Sequence, residues 1–153
     1  MAEEQIKQEC LRLMETADAV YLSTIGSDGF PCTRMMSNLR NKKENPGCAK
    51  VFEQHKEDFL IYMITSSSST KMKQIRANPK VSVYLCNPAE FHGLMLGGEI
   101  KEVTDKDTKR QLWQNGWEMH WPGGADDPEF TVLKLLPAFA KGWYKQGSFE
   151  FEL

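Results

Sequence analysis

Apolar positions along this chain change their period several times, and each change marks a new element. Ile6, Cys10, Leu13, Met14 and Ala17 fall at helical spacing, which predicts a helix over residues 3–17. From Asp18 to Gly26 the run DAVYLSTIG turns to β-branched and aromatic types, which suit a strand. Ser27–Asp28–Gly29 is a hairpin turn signal, so Phe30 to Leu39 reads as a second strand paired with the first. Arg40 to Gly47 (RNKKENPG) is polar and rich in breakers, hence a loop. Asp58 to Thr65 is a third strand, apolar on both faces: Phe59, Ile61 and Met63 on one, Leu60, Tyr62 and Ile64 on the other. Such a strand can fill a barrel with one face and meet a helix or a partner with the other.

After the serines, TKMKQIRAN predicts a short helix stopped by Pro79, because the residue before proline is pushed out of helical conformation. Lys80 to Cys86 is a fourth strand and Phe91 to Val103 a fifth; Gly97 and Gly98 inside it predict a bulge or a close backbone approach. Thr104 and Asp107 make a capping box for a helix to about Met119. The loop WPGGADDPE leads to closing strands at 130–136 and 139–144, with 148–152 as a third. Hairpin-type links argue for an antiparallel sheet: a mainly β chain, a small antiparallel barrel with flanking helices, in a single domain of 153 residues.

Composition narrows the class of function. With 41% apolar and 26% charged residues the chain is an ordinary globular one, and a formal charge of −2 gives it no general attraction to nucleic acid or an anionic membrane. The first 18 residues are charged throughout, unlike a signal peptide, and no stretch approaches a membrane span, so the reading is a cytoplasmic protein. Cys10, Cys32, Cys48 and Cys86 lack CxxC pairing, and His55, His92 and His120 share no ligand spacing with them. Reduced, structural cysteines and no metal site are expected.

Two stretches carry candidate chemistry. Thr65 to Lys71 (TSSSSTK) joins a strand to a helix, and first-turn amides have no internal partners and carry the positive end of the helix dipole. Small hydroxylated residues with Lys71 and Lys73 in the same turn suit a phosphate, although GxxxxGK[ST] is absent. The competing reading is a flexible loop in which Ser69 or Thr70 merely caps the helix. The second stretch is RMMS, Arg34 to Ser37. Strand alternation puts Arg34 on the face of Cys32 and Met36, so its guanidinium either snorkels to the rim or meets an anion. Trp113, Trp117 and Trp121 recur every four residues, which points to core or dimer packing. A less favoured role places Trp117, His120 or Trp121 over a ligand.

RMMS, then DFLIYMITSSSSTKMKQIRANPKVSVYL, then FHGLMLGGEIKEV, resembles the pyridoxamine 5′-phosphate oxidase-like family of FMN-binding split β-barrels, over about Asp18 to Trp143. WPGGADDPEFTVLKLLP is similar to its general stress protein 26 branch. The resemblance implies a homodimer with FMN at the subunit interface. It implies that Arg34, Met35, Met36 and Ser37 run along the flavin edge, with Arg34 near the pyrimidine end or the phosphate. Ile64 and Thr65 would contact the ring and ribityl region, and Ser69, Thr70 and Lys71 would hold the phosphate. The partner's usual glutamine falls near Gly93, so that contact departs from the pattern. The substrate lysine of true pyridoxamine 5′-phosphate oxidases falls near Leu39, and the tail GSFEFEL lacks their Arg-x-His. The expected activity is an FMN-dependent oxidoreductase of undefined substrate and electron donor. The alternatives are a non-catalytic protein that sequesters or senses FMN, and a barrel that binds another ligand such as haem or a nucleotide.

Overall fold

The structure, a computed structural model, describes residues 1–153. Helix α1 (Glu3–Thr16) leads into the hairpin β1 (Ala19–Ile25) and β2 (Pro31–Ser37). Gly29, at φ 82°, takes the left-handed conformation that its turn requires. A short helix α2 (Ala49–Phe52) precedes β3 (Ile61–Ser66), α3 (Thr70–Ala77) and the hairpin β4 (Lys80–Asn87) and β5 (His92–Glu102). Helix α4 (Lys106–Leu112) and a run of tight turns then lead to β6 (Phe130–Leu135), β7 (Phe139–Tyr144) and β8 (Gly147–Glu152). Every strand pair is antiparallel.

The sheet runs β2-β1-β4-β5-β6-β3, with the ribbon β7–β8 branching from β5. It curls into a half-barrel, because β2 and β3 end the path and lie beside each other without a ladder between them. β5 makes the branch possible: residues 92–97 pair with β7 and residues 100–102 with β6. The change of partner falls at Gly97 and Gly98, where the close approach expected from the sequence is found: the Phe139 ring lies where a Gly97 side chain would project, and Pro137 and Ala138 crowd Gly98.

The two faces of β3, which starts at Ile61 rather than Asp58, continue through Phe59 and Leu60 just before it and separate two cores. Phe59, Ile61 and Met63 enter the barrel core with Leu22, Val83, Leu94, Leu96 and the α1 residues Cys10, Leu13 and Met14. Leu60, Tyr62 and Ile64 face a second cluster with Leu112, Trp121, Phe130 and Val132. This is the division that the two-faced strand predicted.

Two readings need correction. Asp105 rather than Thr104 caps α4, accepting from the amides of Asp107 and Thr108 at 3.4 and 3.2 Å. The helix also stops at Leu112 rather than Met119, since Trp113 is extended and Gly116 sits at φ 103°. The segment after β2 is a loop as expected, and within it Asn38, Arg40 and Asn41 are buried, with Arg40 donating to the carbonyls of His55, Asp58 and Leu60, each at 2.9 Å. Through its two Nη atoms this buried guanidinium pins residues 53–60 against the end of β2, while its Nε has no partner.

Candidate functional site

Residues from both ends of the strand path meet at the open seam of the half-barrel. On edge strand β2, Cys32, Arg34 and Met36 point inward while Met35 and Ser37 point outward, as a period of two demands. Arg34 is half-buried. Its Nη1 donates to Thr24 Oγ1 at 2.7 Å and to the Leu22 carbonyl at 3.3 Å, and its Nη2 donates to Gln74 Oε1 on α3 at 3.1 Å. From the other side of the seam, Lys71 Nζ donates to Thr65 Oγ1 at 2.9 Å, and Thr65 Oγ1 lies 3.3 Å from Ser69 Oγ.

No carboxylate forms an ion pair with Arg34 or Lys71. Burial pulls the Lys71 amine below its usual range, and the charge of Arg34 pulls it further. Burial likewise lowers Arg34. Two half-buried cations, each bonded to a hydroxyl and neither to a carboxylate, form an arrangement that gains from an anion.

The serine run divides by function. Ser69 is the N-cap residue of α3, yet its side chain makes no capping bond and instead joins Thr65, so simple capping does not account for it. Ser66 to Ser68 tie the turn to the segment before β6. Trp121 Nε1 donates to Ser66 Oγ at 3.2 Å, Ser67 Oγ donates to the Pro128 carbonyl at 2.8 Å, and the Ser68 amide and hydroxyl donate to Glu129 at 3.1 and 2.9 Å. Thr70 and Lys73 are exposed.

Other expected residues divide by face. Met36 is packed into the barrel core, whereas Met35 is 69% exposed on the outer face. Ile64 packs against the tryptophan cluster, on the opposite side of β3 from Thr65, so only its backbone can share a ligand with Thr65. Trp113, Trp117 and Trp121 converge on Phe130 with ring centroids 5.0, 6.0 and 5.1 Å away, which is the packing role the spacing suggested. His120 is exposed.

Thr24 and Gln74 were not singled out from the sequence. A signal existed for both: Gln74 is three residues from Lys71 on the same helix face, and Thr24 is a polar residue on the inward side of a strand otherwise filled by Val20 and Leu22.

None of the five principal cavities is lined by Arg34, Thr65, Ser69 or Lys71. The cluster lies at the seam between β2 and the start of α3. On the outside of the same sheet, Met35, Tyr21, Tyr84 and Met95 stand opposite one another on β2, β1, β4 and β5, an apolar row across four strands. Met35, Tyr21 and Tyr84 in that row are exposed.

Comparison with known proteins gives the same fold. A protein from Clostridium acetobutylicum described as related to general stress protein 26 superposes with a TM-score of 0.76 at 24% identity, covering 99% of this chain and 97% of its own. General stress protein 26 from Bacillus anthracis str. Sterne gives 0.71 at 21% identity, covering 97% and 99%. A haem-binding protein from Mycobacterium smegmatis gives 0.68 at 10% identity, covering 99% of this chain and 60% of its own. No curated protein sequence matches the chain. No helix is long and apolar enough to cross a membrane. The family model described as "Pyridoxamine 5'-phosphate oxidase like" matches residues 35–152, most of the half-barrel and all of the serine turn; the chain belongs to the pyridoxamine 5′-phosphate oxidase-like family.

Proposed function

We propose that the seam cluster holds the phosphate of FMN and that the protein is a flavoprotein, an FMN-dependent oxidoreductase. The observation that carries the reading is the convergence of Arg34 and Lys71 with the hydroxyls of Thr65 and Ser69 at the start of α3, without a carboxylate bonded to either cation. A phosphate dianion there would relieve the repulsion between the cations and accept from both, from the hydroxyls and from the first-turn amides of α3. The Ile64 backbone and Thr65 would then border the ribityl chain. When bound, the flavin supplies the electron-transfer chemistry, and the chain's residues supply position and charge.

A homodimer is part of the same reading. The outer row Met35–Tyr21–Tyr84–Met95 is the kind of apolar strip that a second copy covers. Oxidation of pyridoxine 5′-phosphate itself is disfavoured, because Leu39, at the position of the substrate lysine, is 1% exposed and cannot reach a ligand.

The visible spectrum of the purified protein is the first test. Flavin bands that appear or grow on adding FMN are expected. A colourless protein that ignores FMN, or one that takes up haem in preference, overturns the reading. Lys71→Ala should weaken FMN by about tenfold to a hundredfold, the scale of one charge-assisted hydrogen bond of about 1.5 to 3 kcal/mol. Turnover with a nicotinamide donor and a quinone or oxygen separates an oxidoreductase from a protein that only stores or senses FMN.

A further inference from the structure

The Arg34 guanidinium is held from behind by neutral groups alone. Of its five N–H donors, three are engaged by Leu22 O, Thr24 Oγ1 and Gln74 Oε1, which leaves two for a ligand. Gln74 is itself fixed: its Oε1 also accepts from the Thr24 hydroxyl at 2.5 Å, and its Nε2 donates to Cys32 Sγ at 3.5 Å. Because arginine has only donors, the amide oxygen must face it, and the amide nitrogen turns towards the thiol.

A glutamate at position 74 would fill the same volume and accept the same bonds, and a buried arginine ordinarily meets such a carboxylate. With glutamine the position is filled by an acceptor that orients the guanidinium without neutralising it. We propose that Gln74, braced by Thr24, is a positioning residue that keeps Arg34 an uncompensated cation and thereby sets the site's preference for a phosphorylated ligand over its unphosphorylated counterpart. For the identity of that ligand the inference rests on the FMN reading; for its charge it rests on the hydrogen bonds alone.

Gln74→Glu is the discriminating substitution, measured against both FMN and riboflavin. The Kd for FMN should rise about tenfold to a hundredfold, as when one charge-assisted hydrogen bond is lost. Riboflavin affinity should stay as in the wild type, and the melting temperature should hold or rise because Arg34 gains a counter-charge. Gln74→Leu, which deletes the acceptor without adding charge, should also lower FMN affinity and spare riboflavin. Unchanged FMN binding in Gln74→Glu overturns the inference, and so does a parallel loss of FMN and riboflavin, which would mark a general distortion. If the wild type binds neither flavin, the FMN reading fails, and titration with inorganic phosphate decides the inference separately. The Arg34 Nε–H resonance should then shift in the wild type and stay still in Gln74→Glu. No shift in the wild type, or equal shifts in both, overturns it.

Discussion

Lys71 carries the most charge-sensitive part of the site. Its amine is lowered by burial and by Arg34, so between that lowered value and the ordinary lysine value the unfolded chain binds a proton that the folded chain does not. Stability of the unliganded protein should therefore rise with pH across that window, and Lys71→Met should remove the rise in urea melts taken at a series of pH values. An anion has the opposite effect, since it favours the protonated amine. FMN affinity should fall as pH climbs through the lowered value, measured well above the second phosphate pKa of about 6 so that the phosphate stays a dianion. A pH-independent Kd in the wild type, or the same slope in Lys71→Met, would remove Lys71 from the phosphate. At this scale the sequence showed the residue types but not their partners. Arg34 and Lys71 are legible as cations, whereas their meeting depends on a seam between strands distant in the chain.

At the scale of elements, the turn from Ser66 to Ser68 is held by the segment after α4. Trp121, 7% exposed, anchors it twice, by packing on Phe130 and by its bond to Ser66. Trp121→Ala should cost about 3–5 kcal/mol of unfolding free energy, the range for large buried aromatics. Trp121→Phe should cost about 1 kcal/mol, the worth of one hydrogen bond. Urea denaturation checks both, and a loss under 1 kcal/mol for the alanine would mean that the cluster does not support the turn. The helix predicted to Met119 fails for a local reason. Asn115–Gly116 is a turn dipeptide, and Gly116 adopts the positive φ that glycine permits. Burial of three tryptophans against Phe130 is then achieved from an extended residue and tight turns, so a spacing of four did not mean one helix.

At the scale of the whole molecule, the outer row predicts assembly. The wild type should sediment as a dimer, and Tyr84→Glu or Met35→Glu, each placing a charge in the row, should shift it towards monomer and weaken FMN together. A variant that turns monomeric yet keeps full FMN affinity would show that the site is complete in one chain. The periods of the apolar residues, two in strands and near four in helices, were enough to place α1, the hairpins, the two-faced β3 and the short α3, because these depend on neighbours close in the chain. The close approach at Gly97 and Gly98 was legible from glycines inside a strand, although the residues that approach, Phe139, Pro137 and Ala138, are distant in the chain. Tertiary structure decided what joins distant segments: the branch of β5 between β6 and β7, the buried Arg40, and the grip of Thr24 and Gln74 on Arg34. Those contacts follow from where the sheet closes and where it stays open, and that is set by packing across the whole core rather than by any local pattern.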